Sequence, residues 1–247
     1  LKDKKNDYEF KSSTNVSQIY DKKTQLGHQL VLSWSKISGA WNYELGYNEE
    51  SLHYNPNDLG YLQSPNERTA YVFGQYAQRA PSSPHLKEWN INGNIYASYL
   101  YAPVLFNTAG IEAFFNLFTK NHNYFGGYIT ATPLESFDYT EPRQGFDRKF
   151  NSPPSYNFSL SFSSNYNKPI AIDIGGNARF YLLENWTRMN TFTHFRFKLN
   201  DHFNMRPSIQ ASFWNNDIGF ADRLGSDIYF GIRNVRIIDN NFDASWI

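Results

Sequence analysis

The chain contains no cysteine, which excludes a disulfide framework, a thiolate metal site and a cysteine nucleophile. It has no surplus of charge of either sign, with 23 Lys+Arg against 23 Asp+Glu. Without a basic excess, the electrostatic argument for a nucleic-acid partner disappears. It also lacks any apolar run near the roughly 20 residues that a membrane helix needs. That absence excludes helical spans and nothing else. A strand crosses a bilayer with only one apolar residue in two over about ten positions, a pattern that leaves mean hydropathy low; here it is −0.61. There is no Gly-rich phosphate loop, and the opening residues LKDKKNDYEF are charged rather than those of a signal peptide.

What is present is aromatic and alternating. Phe, Tyr and Trp make up 18% of the chain, and apolar residues recur with period two in stretch after stretch. In SYNFSLSFS (155–163), Tyr156, Phe158, Leu160 and Phe162 alternate with Asn157, Ser159, Ser161 and Ser163. Trp41, Tyr43, Leu45 and Tyr47 oppose Asn42, Glu44, Gly46 and Asn48, and Ile91, Ile95 and Tyr99 oppose Asn90, Asn92, Asn94 and Ser98. Ile170, Ile172 and Ile174 run in phase up to Gly175–Gly176, where a kink is expected. GIEAFFNLF and YFGGYITA form an expected hairpin around 121–123. The pattern predicts about a dozen strands, no helix and an all-β, antiparallel fold.

Whether the apolar faces meet a protein core or lipid decides the function. Three features favour lipid. The alternation holds for 9–13 residues, enough for a tilted strand to cross a bilayer and longer than the usual 5–6. Charge sits deep within strands on the polar face. Aromatics gather near strand ends, as Trp41 with Tyr47, Trp89 with Tyr101 and Trp186 with Phe197, which matches the girdles of membrane barrels. Connections are unequal too: 21–25, 167–169, 183–185 and 199–202 are tight, while 53–68, 79–88 and 133–154 are long. The expected architecture is a transmembrane β-barrel region over 1–247. Its lumen would be lined by Asn90, Asn92, Asn94, Asp173, Arg188, Asn190, His194, Arg196, Arg206 and Gln210. The alternative is a soluble, secreted carbohydrate-binding β-sandwich.

Candidate chemistry is sparse. Glu135, Asp138, Glu141 and Asp147 share a loop with Arg143, Arg148 and Lys149, as an acid/base pair or a sugar or cation site requires. Mixed-charge loops are commonly just salt-bridged. Asn55, Pro56, Asn57, Asp58 and Gly60 fit a turn, with Asp58 bonding its own backbone, rather than a calcium loop. The six histidines show no metal-ligand spacing. A Ser–His arrangement of His194 with Ser208 or Ser212 is a further hydrolase reading, and spacing does not support it. No catalytic residue, metal or cofactor is expected.

Three stretches carry a resemblance. YNPNDLGYLQSPNERTAY (54–71), ESFDYTEPR (135–143) and DIYFGIRNVRIIDNNFDASW (227–246) resemble, in order, an outer-membrane family of unknown function from Bacteroidota. Its members carry a carbohydrate-binding, family-9-like domain ahead of a large barrel. The matching positions are Asn57, Asp58, Gly60, Asp138, Glu141, Pro142 and Arg143, followed by the Phe-Gly-x-Arg strand at 230–233. The resemblance implies a Gram-negative outer-membrane location, a porin-like wall or surface anchor associated with glycan uptake, and an N-terminal domain and final strands lying outside this chain. Outer-membrane lipid, glycans and other outer-membrane proteins are the implied partners. It transfers no catalytic residue, and an outer-membrane hydrolase is the second alternative.

Overall fold

The computed structural model describes residues 1–5, 7–20, 24–57, 65–142, 147–183, 185–200, 202–225 and 227–246. Among them there is no helix. The first strands are β1 (Tyr8–Ile19), β2 (Gln25–Lys36), β3 (Trp41–Glu50), β4 (Glu67–Gln78) and β5 (Leu86–Leu100). Then come β6 (Phe106–Thr119), β7 (Tyr124–Thr132), the short β8 (Ser136–Asp138) and β9 (Phe150–Ser152), and β10 (Ser155–Ser163). The chain ends with β11 (Ile170–Tyr181), β12 (Thr187–Lys198), β13 (Phe203–Leu224) and β14 (Asp227–Trp246).

Twelve strands form one sheet in the order β1-β2-β3-β4-β5-β6-β7-β10-β11-β12-β13-β14, and β8 pairs with β9 inside the 133–154 connection. The expected all-β, antiparallel class is therefore present. Among the described residues the terminal strands β1 and β14 do not pair with each other, so the sheet is not closed. Two compact units divide the chain: Leu1–Tyr76 with Asn92–Ile111 and Thr132–Ser152, and Ala77–Ile91 with Glu112–Ala131 and Pro153–Ile247.

Burial along β3, β5, β7, β10 and β11 is inverted relative to a water-soluble sheet. In β3, Trp41, Tyr43 and Leu45 are exposed while Asn42, Glu44 and Gly46 are half-buried. In β10, Leu160 is 66% exposed whereas Asn157 is 5%. The same holds for Ile91 and Ile95 in β5, Ile129 in β7 and Ile174 in β11. Buried apolar side chains among the described residues are few: Tyr54, Leu100, Tyr139, Ala171 and Trp186. In these strands the apolar stripe faces away from the chain's own packing, and the polar stripe is the covered one.

The first unit shows how loops are seated. Ser51 Oγ accepts from the His28 backbone N–H at 2.8 Å, and the His28 carbonyl accepts from the Ser51 N–H at 2.9 Å. These bonds fold 51–57 over the start of β2, where a Cβ at Gly27 would collide with the backbone of His53 and Tyr54. Gly27→Ala should displace this loop, expose Tyr54 and lower stability by about 1–3 kcal/mol, the range for overpacking; thermal unfolding with Tyr54 accessibility checks it.

In the second unit, Gly175–Gly176 does not kink the chain. β11 pairs continuously with β10 and β12 through both glycines. Their role is space: the Phe192 ring fills the position of a Gly175 side chain, and the Asn190 carbonyl crowds that of Gly176. The last two strands are longer than the periodicity predicts, at 22 and 20 residues. β12 ends its pairing at Thr187↔Asn215, so 217–233 continues as a two-stranded ribbon beyond the sheet.

Candidate functional site

The covered polar face carries the chain's chemistry, and strand register decides what meets on it. In the first unit, Tyr71 donates to Glu44 at 2.5 Å and Gln75 to Asn92 at 2.7 Å. At the end of β2–β4, Glu49 takes Tyr47 Oη at 2.5 Å on one oxygen and lies 3.1 Å from His28 Nε2 on the other. Beside them Arg68 donates to the Tyr101 carbonyl at 2.6 Å, its guanidinium 4.8 Å from that ring's centre. In the second unit Asn116 donates to Asn90 at 3.0 Å and accepts from Tyr124 at 2.7 Å.

The densest arrangement spans β10–β14. Register sets Ser163 opposite Asp173, Asp173 opposite His194, His194 opposite Ser208 and Ser208 opposite Asn241. An acid, an imidazole and a hydroxyl therefore occupy one row. The acid, however, is engaged elsewhere, accepting from Ser163 Oγ and from Tyr166 Oη. His194 Nε2 lies 3.5 Å from Gln210 Nε2, and among the described residues no hydrogen bond joins His194 to Ser208 or Asp173. Ser212 lies opposite Asn190 instead. Burial and the bond to Asp173 push the Tyr166 phenol up to about 12. An opening of about 530 Å³ lies over this row and the neighbouring Arg196 and Arg206.

A second centre was not foreseen from sequence. Asp217, fully buried, sits at the bulge where β13 leaves β12. It accepts from Arg188 Nε at 2.5 Å, Arg233 Nε at 2.7 Å and Trp186 Nε1 at 3.3 Å. Both guanidiniums flank Trp214, at 5.5 and 5.4 Å from its ring, and Trp214 Nε1 donates to Asn190 at 3.0 Å. Trp186 in turn stacks on Tyr181 at 3.9 Å. The sequence signal was the isolated Asp within a run of aromatic and Asn residues, FWNNDIGF.

The other expected positions separate. Asn90, Asn92, Asn94, Asp173, Arg188, Asn190, His194 and Arg196 are half-buried, while Arg206 and Gln210 are exposed. Asp138 is tied into its own turn, accepting from Thr140 N–H, Thr140 Oγ1 and Glu141 N–H at 2.7–2.9 Å. Lys149 sits over the Phe137 ring rather than on a carboxylate. Pro142 is buried and Glu141 half-buried. Asn57 N–H is bonded to Asn55 Oδ1 at 3.0 Å. Asp58, Gly60 and Arg143 lie outside the described residues.

Comparison with family models finds a match over residues 1–247 to the family described as Domain of unknown function (DUF5916). The chain belongs to that family. No curated protein and no solved structure matches it.

Proposed function

We propose that this member of the DUF5916 family is a length of transmembrane β-barrel wall in a Gram-negative outer membrane, with its apolar face toward acyl chains and its polar face toward a lumen. The observation that carries the reading is the inverted burial of the strands, typified by Leu160 and Asn157. Water gives no reason to expose a continuous aliphatic stripe, and hydrocarbon does. Strand ends support it. Tyr8, Trp34 and Tyr43 form a chain of rings 5.6 and 5.7 Å apart on the exposed face near one end of β1–β3, as an interfacial girdle requires. In the second unit Phe203 meets Trp246 at 6.1 Å near a strand end. Even the charged residues of the polar face fit, because a lumen supplies water or polar neighbours. Outer-membrane lipid is the partner this reading requires; glycans and other outer-membrane proteins are its candidate lumen or rim ligands. The role is a wall, pore or surface anchor rather than catalysis.

Closure of the sheet is what an electrophoretic test reads. The native membrane fraction, run in SDS with and without boiling and probed with an antibody to this chain, should show an outer-membrane band whose mobility shifts on heating. A band in the soluble fraction with no shift would reverse the assignment of the two faces and leave the secreted β-sandwich reading in its place.

A further inference from the structure

On the polar face of the second unit, two arginines stand opposite each other. The β12–β13 register gives His194↔Ser208 and Phe197↔Met205, which sets Arg196 against Arg206. The ladder is interrupted there, beside Pro207, which has no N–H to donate. Like charges directly opposed across strands are destabilising unless something neutralises them. Farther along, Arg179 opposes Arg188 in the same way, but Arg188 is held by the carboxylate of Asp217. Arg196 and Arg206 have no such counter-ion: among the described residues no ion pair joins either to a carboxylate.

The nearby acids do not fill the gap. Asp173 is occupied by Ser163 and Tyr166. Asp243 lies opposite Arg206 on β14 without forming an ion pair with it. Arg196 Nε is buried and has no acceptor, while its guanidinium is fixed 5.1 Å from the Tyr166 ring centre. A buried donor left unpaired on a charged group is costly, and a guanidinium fork matches a planar or tetrahedral oxyanion with two parallel bonds. Ser208 adds a hydroxyl and Asn241 an amide to the lining of the same 530 Å³ opening.

We propose that this opening is an oxyanion site, in which Arg196 and Arg206 together receive the phosphate or carboxylate group of a small ligand. Asp173 and Asp243 on its margin keep the field from becoming strongly positive, so binding is weak and exchange fast, as suits a group that passes rather than one that is stored. The site goes beyond the membrane reading and does not depend on it, since the β12–β13 register puts the two arginines on the same polar face whatever the apolar face meets.

The test uses the full protein, titrated calorimetrically with inorganic phosphate and separately with glucuronate at constant ionic strength in chloride. Saturable binding is expected for at least one probe, and which one answers separates a phosphate ligand from a sugar acid. Arg196→Gln and Arg206→Gln should each weaken binding about tenfold or more, the loss of a charge-assisted contact. Arg223→Gln, on the exposed ribbon, should leave it unchanged. No saturable binding to either probe, or equal weakening by all three variants, overturns the site. A second measurement needs no variant. Phosphate or glucuronate should protect Arg196 and Arg206 of the wild-type protein from phenylglyoxal, read by mass spectrometry, and leave Arg223 reactive; absence of selective protection overturns the site as well.

Discussion

Asp introduced at Leu160 should destabilise the protein in lipid by about 2 kcal/mol, and Arg at the same position by roughly 2–4 kcal/mol, while Asp at the adjacent Ser161 should be tolerated. The contrast rests on one residue's difference in position. Leu160 lies near the middle of β10 on the outward stripe and is 66% exposed; Ser161 is half-buried on the polar stripe, its Oγ 3.4 Å from the Gly126 carbonyl. If the outward stripe met water, a polar residue at so exposed a position would change stability by no more than about 0.5 kcal/mol, as surface substitutions usually do. If it meets hydrocarbon, the charge must be dehydrated or the bilayer must deform around it. Denaturant unfolding of the two variants in lipid vesicles measures the difference directly. Equal tolerance at 160 and 161 would remove the lipid assignment.

Asp217→Ala should be the most damaging substitution in the second unit, at about 3 kcal/mol. Removing one member of a buried ion pair costs about 3–5 kcal/mol because its partner is left uncompensated. The lower end applies here, since Arg233 is 63% exposed and regains water while Arg188 is less accessible. Two consequences beyond the loss of charge pairing are expected. Trp186 Nε1 loses an acceptor, and Trp214 is left beside two guanidiniums whose mutual repulsion no carboxylate offsets. The effect should be local: the bulge at Trp214/Asp217 is where the ribbon leaves the sheet, so hydrogen exchange should quicken across 217–233 before it does in β10–β12. Asp217→Asn should recover part of the loss by keeping an acceptor for Trp186. Uniform loss of protection throughout the sheet would show that Asp217 anchors more than the ribbon.

The two faces were readable from sequence because a strand's side chains alternate strictly, and SYNFSLSFS places every apolar residue in one phase. What alternation does not carry is register. That Arg196 meets Arg206, or that Asp173, His194 and Ser208 share a row, depends on how far neighbouring strands are offset, which turn and loop lengths leave undetermined. Asp217 was hidden for a different reason. Asn216 has a positive φ of 50° and the bulge there resets the phase of the strand, so an acid that period two would send outward is turned into the packing. The Gly175–Gly176 pair misled because glycine in a strand signals either a bend or a close approach, and sequence alone does not tell them apart.

One feature of the first unit acts as a key. Gly46 pairs with Tyr71, whose ring lies across the place a side chain would occupy and whose hydroxyl is held by Glu44. A slide of β4 by two residues along β3 keeps both faces correct, so hydrophobic patterning alone would not reject it. It would, however, bring the Tyr71 ring over Glu44 or Asn48, where a side chain already stands. The missing side chain at Gly46 is therefore a notch that admits a single alignment, and the pairing of these strands is chosen by shape where polarity leaves it undecided.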